Sequence, residues 1–229
     1  TRLLNQGKQF QEVSLVKFKT NDVQNRTQQL EGLTKGSILE INPAAIENLL
    51  NGSNDFIQLK LPVADRQNLT LNLVRHQIFT EDFNVFESSA PGIPVNYTPG
   101  IYYKGVIDGD PSSVVALSVF NNEVMGLITT DQGNLVIGRI ENDRDNLHIL
   151  YNDNDLERPS GFECGTVDEG APYTQEDLKS QSGGRDAGDC VRVYIEIDDD
   201  IVTQKGGATP ATNYITGLFN QSIVLYSNE

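Results

Sequence analysis

Two cysteines and two histidines are the residues of this chain best suited to chemistry. Cys164 and Cys190 lie 26 positions apart, so they could pair, but two cysteines do not define a disulfide scaffold. His76 and His148 lie 72 positions apart and cannot form the local pair of a His-Glu-x-x-His zinc motif. We therefore expect both histidines to be exposed or hydrogen-bonded structural residues rather than metal ligands.

Motifs for complete catalysis are missing from the sequence, which has no Gly-x-Ser-x-Gly elbow, Walker loop or Gly-x-Gly-x-x-Gly fingerprint. Asp198, Asp199 and Asp200 could offer oxygen ligands to Ca²⁺, although a charged end of a strand explains them more simply. Asn-x-Ser/Thr sequons also occur, and they matter only in a host that glycosylates the chain. These sequons begin at Asn25, Asn51, Asn68, Asn96 and Asn220.

Composition excludes some classes of partner. The chain has 229 residues, with 17 Lys or Arg against 32 Asp or Glu, and its net charge is −15. This excess of carboxylates repels a phosphate backbone, so we expect no nucleic-acid partner. No run of about 18 apolar residues is present, so we expect no membrane span. Because the sequence begins at Thr1 without a charged and apolar leader, we expect a secreted protein whose signal peptide has been removed.

Short apolar segments separated by tight turns predict a mainly β, antiparallel region before residue 152. One helix interrupts it: Asn42-Pro43 is typical of an N-cap followed by proline, and Asn51-Gly52 would end the helix. Asn121-Asn122 favours a two-residue hairpin turn, because asparagine tolerates positive φ. The predicted strands are residues 10–19, 37–41, 56–61, 69–74, 101–107, 113–120, 123–129, 135–140 and 147–151.

The pattern changes after residue 152. Gly, Ser, Pro, Asp and Glu predominate up to residue 189, which predicts an exposed linker open to proteases. Residues 191–197 then alternate apolar and polar types, as a half-buried strand does, and Thr209-Pro210 predicts a helix start. We expect an apolar stripe of that helix to pack against this strand. The stripe consists of Tyr214, Ile215, Leu218, Phe219 and Leu225.

The segment from Tyr103 to Ser118 resembles the propeptide of reprolysin-type (ADAM-like) zinc metalloproteases. It reads Tyr-Lys-Gly-Val-Ile-Asp-Gly-Asp-Pro-Ser-Ser-Val-Val-Ala-Leu-Ser and is followed by Gly126-Leu127-Ile128. That family carries Tyr-x-Gly-x-Ile-x-Gly-x-x-x-Ser-x-x-Ala-Leu-Ser, with Gly-Leu-Ile a few residues later. A hairpin alone would need the turn glycines but not the Ala-Leu-Ser. The segment from Phe162 to Thr166, Phe-Glu-Cys-Gly-Thr, resembles the cysteine switch of the same family.

The resemblance implies three parts. Residues 1–165 would be a β-rich propeptide with an antiparallel sandwich or barrel-like fold, and residues 166–189 an activation linker. Residues 190–229 would be the first strand and helix of an α/β metzincin protease domain, because a lone strand and helix cannot bury their apolar faces. The family's three-histidine zinc motif would lie beyond Glu229, so we expect this chain to be inactive alone.

The implied function is an inhibitory and folding-assisting propeptide of a secreted zinc metalloendopeptidase. Its partners would be the protease domain of the same precursor and an activating protease that cuts the linker. Arg185, between Gly184 and Gly188, is the candidate for that cut. No zinc-binding histidine or catalytic glutamate can be assigned to this chain from the resemblance.

Cys164 and Gly165 would form the switch. A cysteine thiolate is a soft zinc ligand that can take the open fourth position of a catalytic zinc, and zinc lowers the thiol pKa. Cys164 would thus bind zinc only in the latent form, and Gly165 would let the backbone approach the cleft closely. A disulfide between Cys164 and Cys190 is the alternative, since a secreted protein with two cysteines favours pairing.

Two other functions stay open from the sequence. One is a secreted β-sandwich binding or adhesion module without enzyme activity, which predicts clustered, exposed aromatic side chains. Trp is absent, and only Tyr97, Tyr102 and Tyr103 lie close together in sequence. The other is a stand-alone protease inhibitor, which predicts a chain that ends near residue 165.

Overall fold

A mixed β-sheet is the main feature of the molecule. The computed structural model describes residues 9–19, 32–63, 68–141, 143–157 and 192–227. Within these residues ten strands form one sheet, which curls into a half-barrel, and three α-helices accompany it. The prediction of a mainly β, barrel-like domain is therefore confirmed.

The strands and helices are numbered in chain order. The strands are β1 Gln11–Val13, β2 Val16–Phe18, β3 Ser37–Ile41, β4 Phe56–Leu61, β5 Leu69–Arg75, β6 Ile101–Ile107, β7 Asp110–Phe120, β8 Glu123–Thr130, β9 Gly133–Arg139 and β10 His148–Asn152. The helices are α1 Pro43–Asn51, α2 Asp199–Lys205 and α3 Ala208–Tyr226, and a 3-10 turn covers Asp153–Asp155.

The strand order is β1-β4-β5-β6-β7-β8-β9-β10-β3-β2, which places two consecutive strands of the chain at opposite edges. Only Ser14 and Leu15 separate β1 from β2, and two residues bridge roughly 10 Å from Val13 to Val16. The two edges must therefore lie close together, which requires the sheet to curl.

The predicted strand at 10–19 is thus wrong as one element. Leu15 is fully buried in the core, and the chain breaks there to reach the other edge of the sheet. The antiparallel prediction also fails at one place: β1 pairs with β4 in parallel, with Gln11 opposite Ile57. The other neighbouring strands in the described part of the sheet are antiparallel.

The main core lies on one face of the sheet, which we call the inner face. Val115, Leu117 and Val119 of β7 point to it, and Ile46 and Leu49 of α1 pack into the same cluster. Helix α1 begins as predicted: the side-chain oxygen of Asn42 accepts a hydrogen bond from the Ala45 amide at 3.2 Å, and Pro43 follows.

The C-terminal part differs from the prediction. Residues 192–198 belong to no strand, and Tyr194 is 86% exposed, so the strand predicted at 191–197 is wrong for these residues. Asp198 is instead the N-cap residue of α2. The chain divides into two compact units, Thr1–Glu157 with Ile197–Glu229, and Arg158–Glu196. In the second unit, the described residues 192–196 are exposed and form no helix or strand.

Helix α3 is present as predicted, but it packs through a different face. Its buried residues are small or polar for the most part, whereas Leu218 and Leu225 of the predicted stripe are exposed. The stripe could not pack on a strand that is not formed. The buried set is Ala211, Thr212, Thr216, Gly217, Asn220 and Val224. No helix of the described residues is long and apolar enough to cross a membrane.

One glycine is required by close backbone contact inside the sheet. A side-chain Cβ at Gly105 of β6 would overlap the carbonyl oxygen of Asn72 in β5. The register between β6 and β7 shifts at the same place, between Gly105 and Ile107. Gly138 of β9, by contrast, has open space where a Cβ would stand.

We expect Gly105→Ala to lower the free energy of unfolding by about 2 kcal/mol, because the backbone of β5 or β6 must move. Gly138→Ala is the matched control and should change stability by no more than about 0.5 kcal/mol or raise it slightly. Urea unfolding of both variants measures the difference. Equal effects of the two replacements would contradict this explanation.

Candidate functional site

The residues predicted for the switch, the cut and the disulfide lie outside the described residues. They are Cys164, Gly165, Arg185 and Cys190, and those assignments stay predictions. Among the residues that the structure does describe, no three His, Cys, Asp or Glu side chains are grouped to hold a metal ion. Asp199 and Asp200 lie in the first turn of α2, where carboxylates stabilise the helix dipole.

A surface depression of about 420 Å³ beside β2 and β3 contains several charges. The ammonium groups of Lys17 and Lys19 lie 3.2 and 3.4 Å from the Glu40 carboxylate, and Lys19 also lies 3.7 Å from Asp145. The hydrogen bond from Lys17 lowers the pKa of Glu40. Because these charges are paired with one another, the depression is not a convincing ligand site.

His148 is a buried structural residue of β10. Its Nε2 accepts a hydrogen bond from the Val124 amide at 3.1 Å, and its Nδ1 lies 3.2 Å from the carbonyl oxygen of Asn146. The Nδ1 atom therefore carries the proton of the neutral ring. Burial lowers the pKa of His148 to about 4.

His76 contributes to a different place, the contact between α3 and the sheet. Its Nε2 lies 2.7 Å from the side-chain oxygen of Asn220, a fully buried residue of α3. The side-chain nitrogen of Asn220 donates to the carbonyl oxygen of Leu117 at 3.2 Å and to the Ser118 hydroxyl at 3.1 Å. The Asn220 amide is thus bonded through both of its polar atoms.

Ser118 belongs to the outer face of β7, opposite the core, because side chains alternate along a strand. We call the surface that receives α3 the helix seat. It consists of Tyr102 of β6, Ser118 of β7 and Met125 of β8, with His76 and Tyr97 from the segment between β5 and β6.

Tyr97 forms the second polar contact of the helix seat. Its hydroxyl donates to the side-chain oxygen of Asn213 at 2.9 Å and lies 3.5 Å from the Thr216 hydroxyl. The neighbouring Tyr102 hydroxyl is buried and makes no hydrogen bond of ordinary geometry with a described residue. Burial is the main cause that raises the pKa of Tyr102 well above its usual range, and the nearby Tyr97 is the second cause.

Gly217 allows α3 to approach the sheet closely. A Cβ at this position would stand 2.6 Å from the sulfur of Met125. Gly217 and Asn220 are three residues apart, so they lie on the same face of the helix. Glycine at the contact and asparagine beside it therefore determine how α3 fits the helix seat.

Helix α2 is tied by charge to the turn that follows β9. Lys205 pairs with Glu141, and the side-chain nitrogen of Gln204 donates to the same carboxylate at 3.1 Å. The hydrogen bond from Lys205 lowers the pKa of Glu141. The Lys205 ammonium also lies 3.8 Å from the centre of the Tyr214 ring, which links α2 to α3.

The two hydrophobic clusters of the described residues contain no residue of α2 or α3. The core on the inner face is therefore complete without these helices. Helix α3 covers the outer face instead, with Ala211 and Val224 as its fully buried aliphatic side chains. Its side-chain hydrogen bonds to the helix seat come from Asn220 and Asn213, whereas the Thr212 and Thr216 hydroxyls donate to carbonyl oxygens of the helix itself.

Two of the three tyrosines that lie close together in sequence are covered. Tyr102 is 3% exposed and packs edge-to-face on Phe79 and Phe120, and Tyr103 is fully buried. The sequon at Asn220 is also inaccessible in the folded chain, since the side chain is buried and bonded. The sequons at Asn51, Asn68 and Asn96, in contrast, have exposed asparagines.

Sequence reasoning missed the helix seat because its parts are distant in the chain. One signal was present: residues 114–120 read Val-Val-Ala-Leu-Ser-Val-Phe, a nearly continuous apolar run that is typical of a strand covered on both faces, and the structure buries Val115 to Phe120. The predicted hairpins explained one face of that strand only. No pattern in the sequence connects His76 with Asn220, which is 144 positions away.

No protein-family model matches this chain, and no curated protein matches it significantly in sequence.

The burial of His148 predicts a loss of stability in mild acid. The pKa of this side chain is about 4 when folded and near 6.5 when unfolded, so the unfolded chain binds the proton first as the pH falls. The contribution of the neutral His148 ring to stability is fully present above pH 6.5 and is lost as the pH falls towards 4. Between pH 7 and pH 5 we expect the titration of His148 to lower the free energy of unfolding by about 2 kcal/mol.

Urea unfolding at pH 7 and pH 5 checks this expectation, with His148→Gln as the comparison. The variant lacks the titrating group, so its stability should fall by about 2 kcal/mol less than that of the wild type over this range. An identical fall in both proteins would show that other groups cause the acid sensitivity.

Proposed function

We propose that this chain is the β-rich propeptide of a secreted zinc metalloendopeptidase together with the beginning of the protease domain. The propeptide keeps the protease latent and assists its folding. Helices α2 and α3 belong to the protease domain, and the β-sheet belongs to the propeptide. This assignment follows the resemblance of residues 103–118 and 162–166 to reprolysin-type precursors.

The observation that supports the proposal best is the polar contact between α3 and the sheet. Helix α3 contributes to neither hydrophobic cluster of the described residues, although it belongs to the same compact unit as the sheet. Contacts between separate domains are more polar than domain cores, and they permit relative motion. The Asn220 and Tyr97 hydrogen bonds have this character.

The outward face of α3 also supports the proposal. Leu218 and Leu225 are 36% and 42% exposed, and Tyr226 is 77% exposed. An amphipathic helix normally turns its apolar side inward, whereas the buried side of α3 is a mixture of small, polar and aliphatic residues. Under the proposal, the outward side chains form part of the protease core.

Cys164 is the proposed inhibitory residue. A catalytic zinc, when bound in the parent enzyme, would activate water for peptide hydrolysis. The Cys164 thiolate would occupy the coordination position of that water, and Gly165 would allow its close approach. Cutting the linker, with Arg185 as the proposed site, would lower the effective concentration of the thiolate at the metal.

We expect Cys164→Ser to raise the peptidase activity of the uncleaved precursor at least about tenfold, because the tethered zinc ligand is lost. Cys190→Ser is the matched control and should leave the precursor latent. The measurement uses a precursor that contains this chain and the proposed protease domain, assayed on a fluorogenic peptide.

Thiol alkylation followed by mass spectrometry gives an independent check of the same precursor. A disulfide that joins Cys164 to Cys190 in the latent protein would exclude the switch. A precursor with no peptidase activity even after the linker is cut would exclude the proposed function as a whole.

A further inference from the structure

We infer that the helix seat is a releasable helix-binding surface: α3 leaves it as a unit while the sheet stays folded. The surface recognises a helix with glycine and asparagine three residues apart on one face. Gly217 and Asn220 are the residues that it recognises. Release of α3 from the sheet does not depend on the proposed function. Only the link between this release and activation of a protease rests on the proposed function.

Recognition is concentrated at Asn220. Its side-chain nitrogen donates to one backbone oxygen and one hydroxyl of β7, and its side-chain oxygen lies at hydrogen-bond distance from His76. An apolar residue here would leave the buried Ser118 hydroxyl, the Leu117 carbonyl oxygen and the half-buried His76 ring without this partner. Burial without a partner is costly, so the seat selects against helices that lack the amide.

Gly217 adds a steric requirement. A Cβ at position 217 would stand 2.6 Å from the Met125 sulfur, so a larger side chain there requires the end of the Met125 side chain to move. The contact of Tyr97 with Asn213, one helical turn before Gly217, fixes the direction of the helix axis. The seat thus discriminates by shape at one position and by hydrogen bonding at another.

The hydrogen bonds of the contact are of a kind that water can replace, while release also exposes the buried Ala211 and Val224. When α3 leaves, water can hydrate the Asn220 amide, the Ser118 hydroxyl and the His76 ring. Tyr102 keeps its contacts with Phe79 and Phe120, which do not belong to α3. The core on the inner face contains no α3 residue and is unaffected. Opening of α3 should therefore need less free energy than unfolding of the sheet.

Native-state hydrogen exchange of the full chain tests this inference. We expect the amides of α3 to exchange at least about tenfold faster than the most protected amides of β6–β8, through an opening that leaves the sheet protected. Asn220→Ala should accelerate exchange in α3 by about a further tenfold and leave β6–β8 within about twofold of the wild type.

Ser222→Ala is the matched control. Ser222 lies on the exposed side of α3, where its hydroxyl bonds to the carbonyl oxygen of Leu218. Both replacements put alanine into the same helix, so the gain in helix propensity is similar and only the contact with the seat differs. Ser222→Ala should not accelerate exchange in α3.

The inference is overturned if α3 and β6–β8 exchange at the same rate in the wild type, because the helix would then unfold only with the sheet. It is also overturned if Asn220→Ala accelerates both regions equally. The wild-type comparison decides the question even if Asn220→Ala does not fold. Peptidase latency is not measured here, so failure of the proposed function is seen separately, in the Cys164 experiment.

Discussion

Burial of β7 on both faces is the constraint on which the rest of the structure depends. The inward side chains, such as Val115 and Leu117, form the core with α1, and the outward side chains lie beneath α3. A strand in this position must be central, and it is flanked by four strands on one side and five on the other. The two-residue link between β1 and β2 brings the sheet edges together, so the inner face is enclosed.

The two faces of the sheet are covered by different kinds of contact. The inner face is apolar and needs no residue of α2 or α3, whereas the outer face is joined to α3 by amide, hydroxyl and imidazole groups. Apolar burial provides most of the stability of a domain, while single hydrogen bonds contribute about 1 kcal/mol each. A surface of the second kind can hold a helix specifically and still release it.

Local patterns predicted the elements whose causes are local. The Asn42-Pro43 start of α1 follows from backbone capping, and the hairpin at Asn121-Asn122 follows from the φ preference of asparagine. The strand predicted at 191–197 failed because alternation produces a strand only when a partner strand is available. The stripe from Tyr214 to Leu225 failed for a related reason: hydrophobic periodicity locates an apolar face but does not identify what covers it.

The sequence by itself determined that the chain is mainly β, where most of its strands lie, and that α1 and α3 are helical. Those properties depend on neighbours within a few residues. Only the tertiary structure decided the strand order, the break at Leu15 and the pairing of His76 with Asn220. These depend on contacts between residues far apart in the chain, and many such pairings are compatible with the same local pattern until the sheet has curled and its outer face is available.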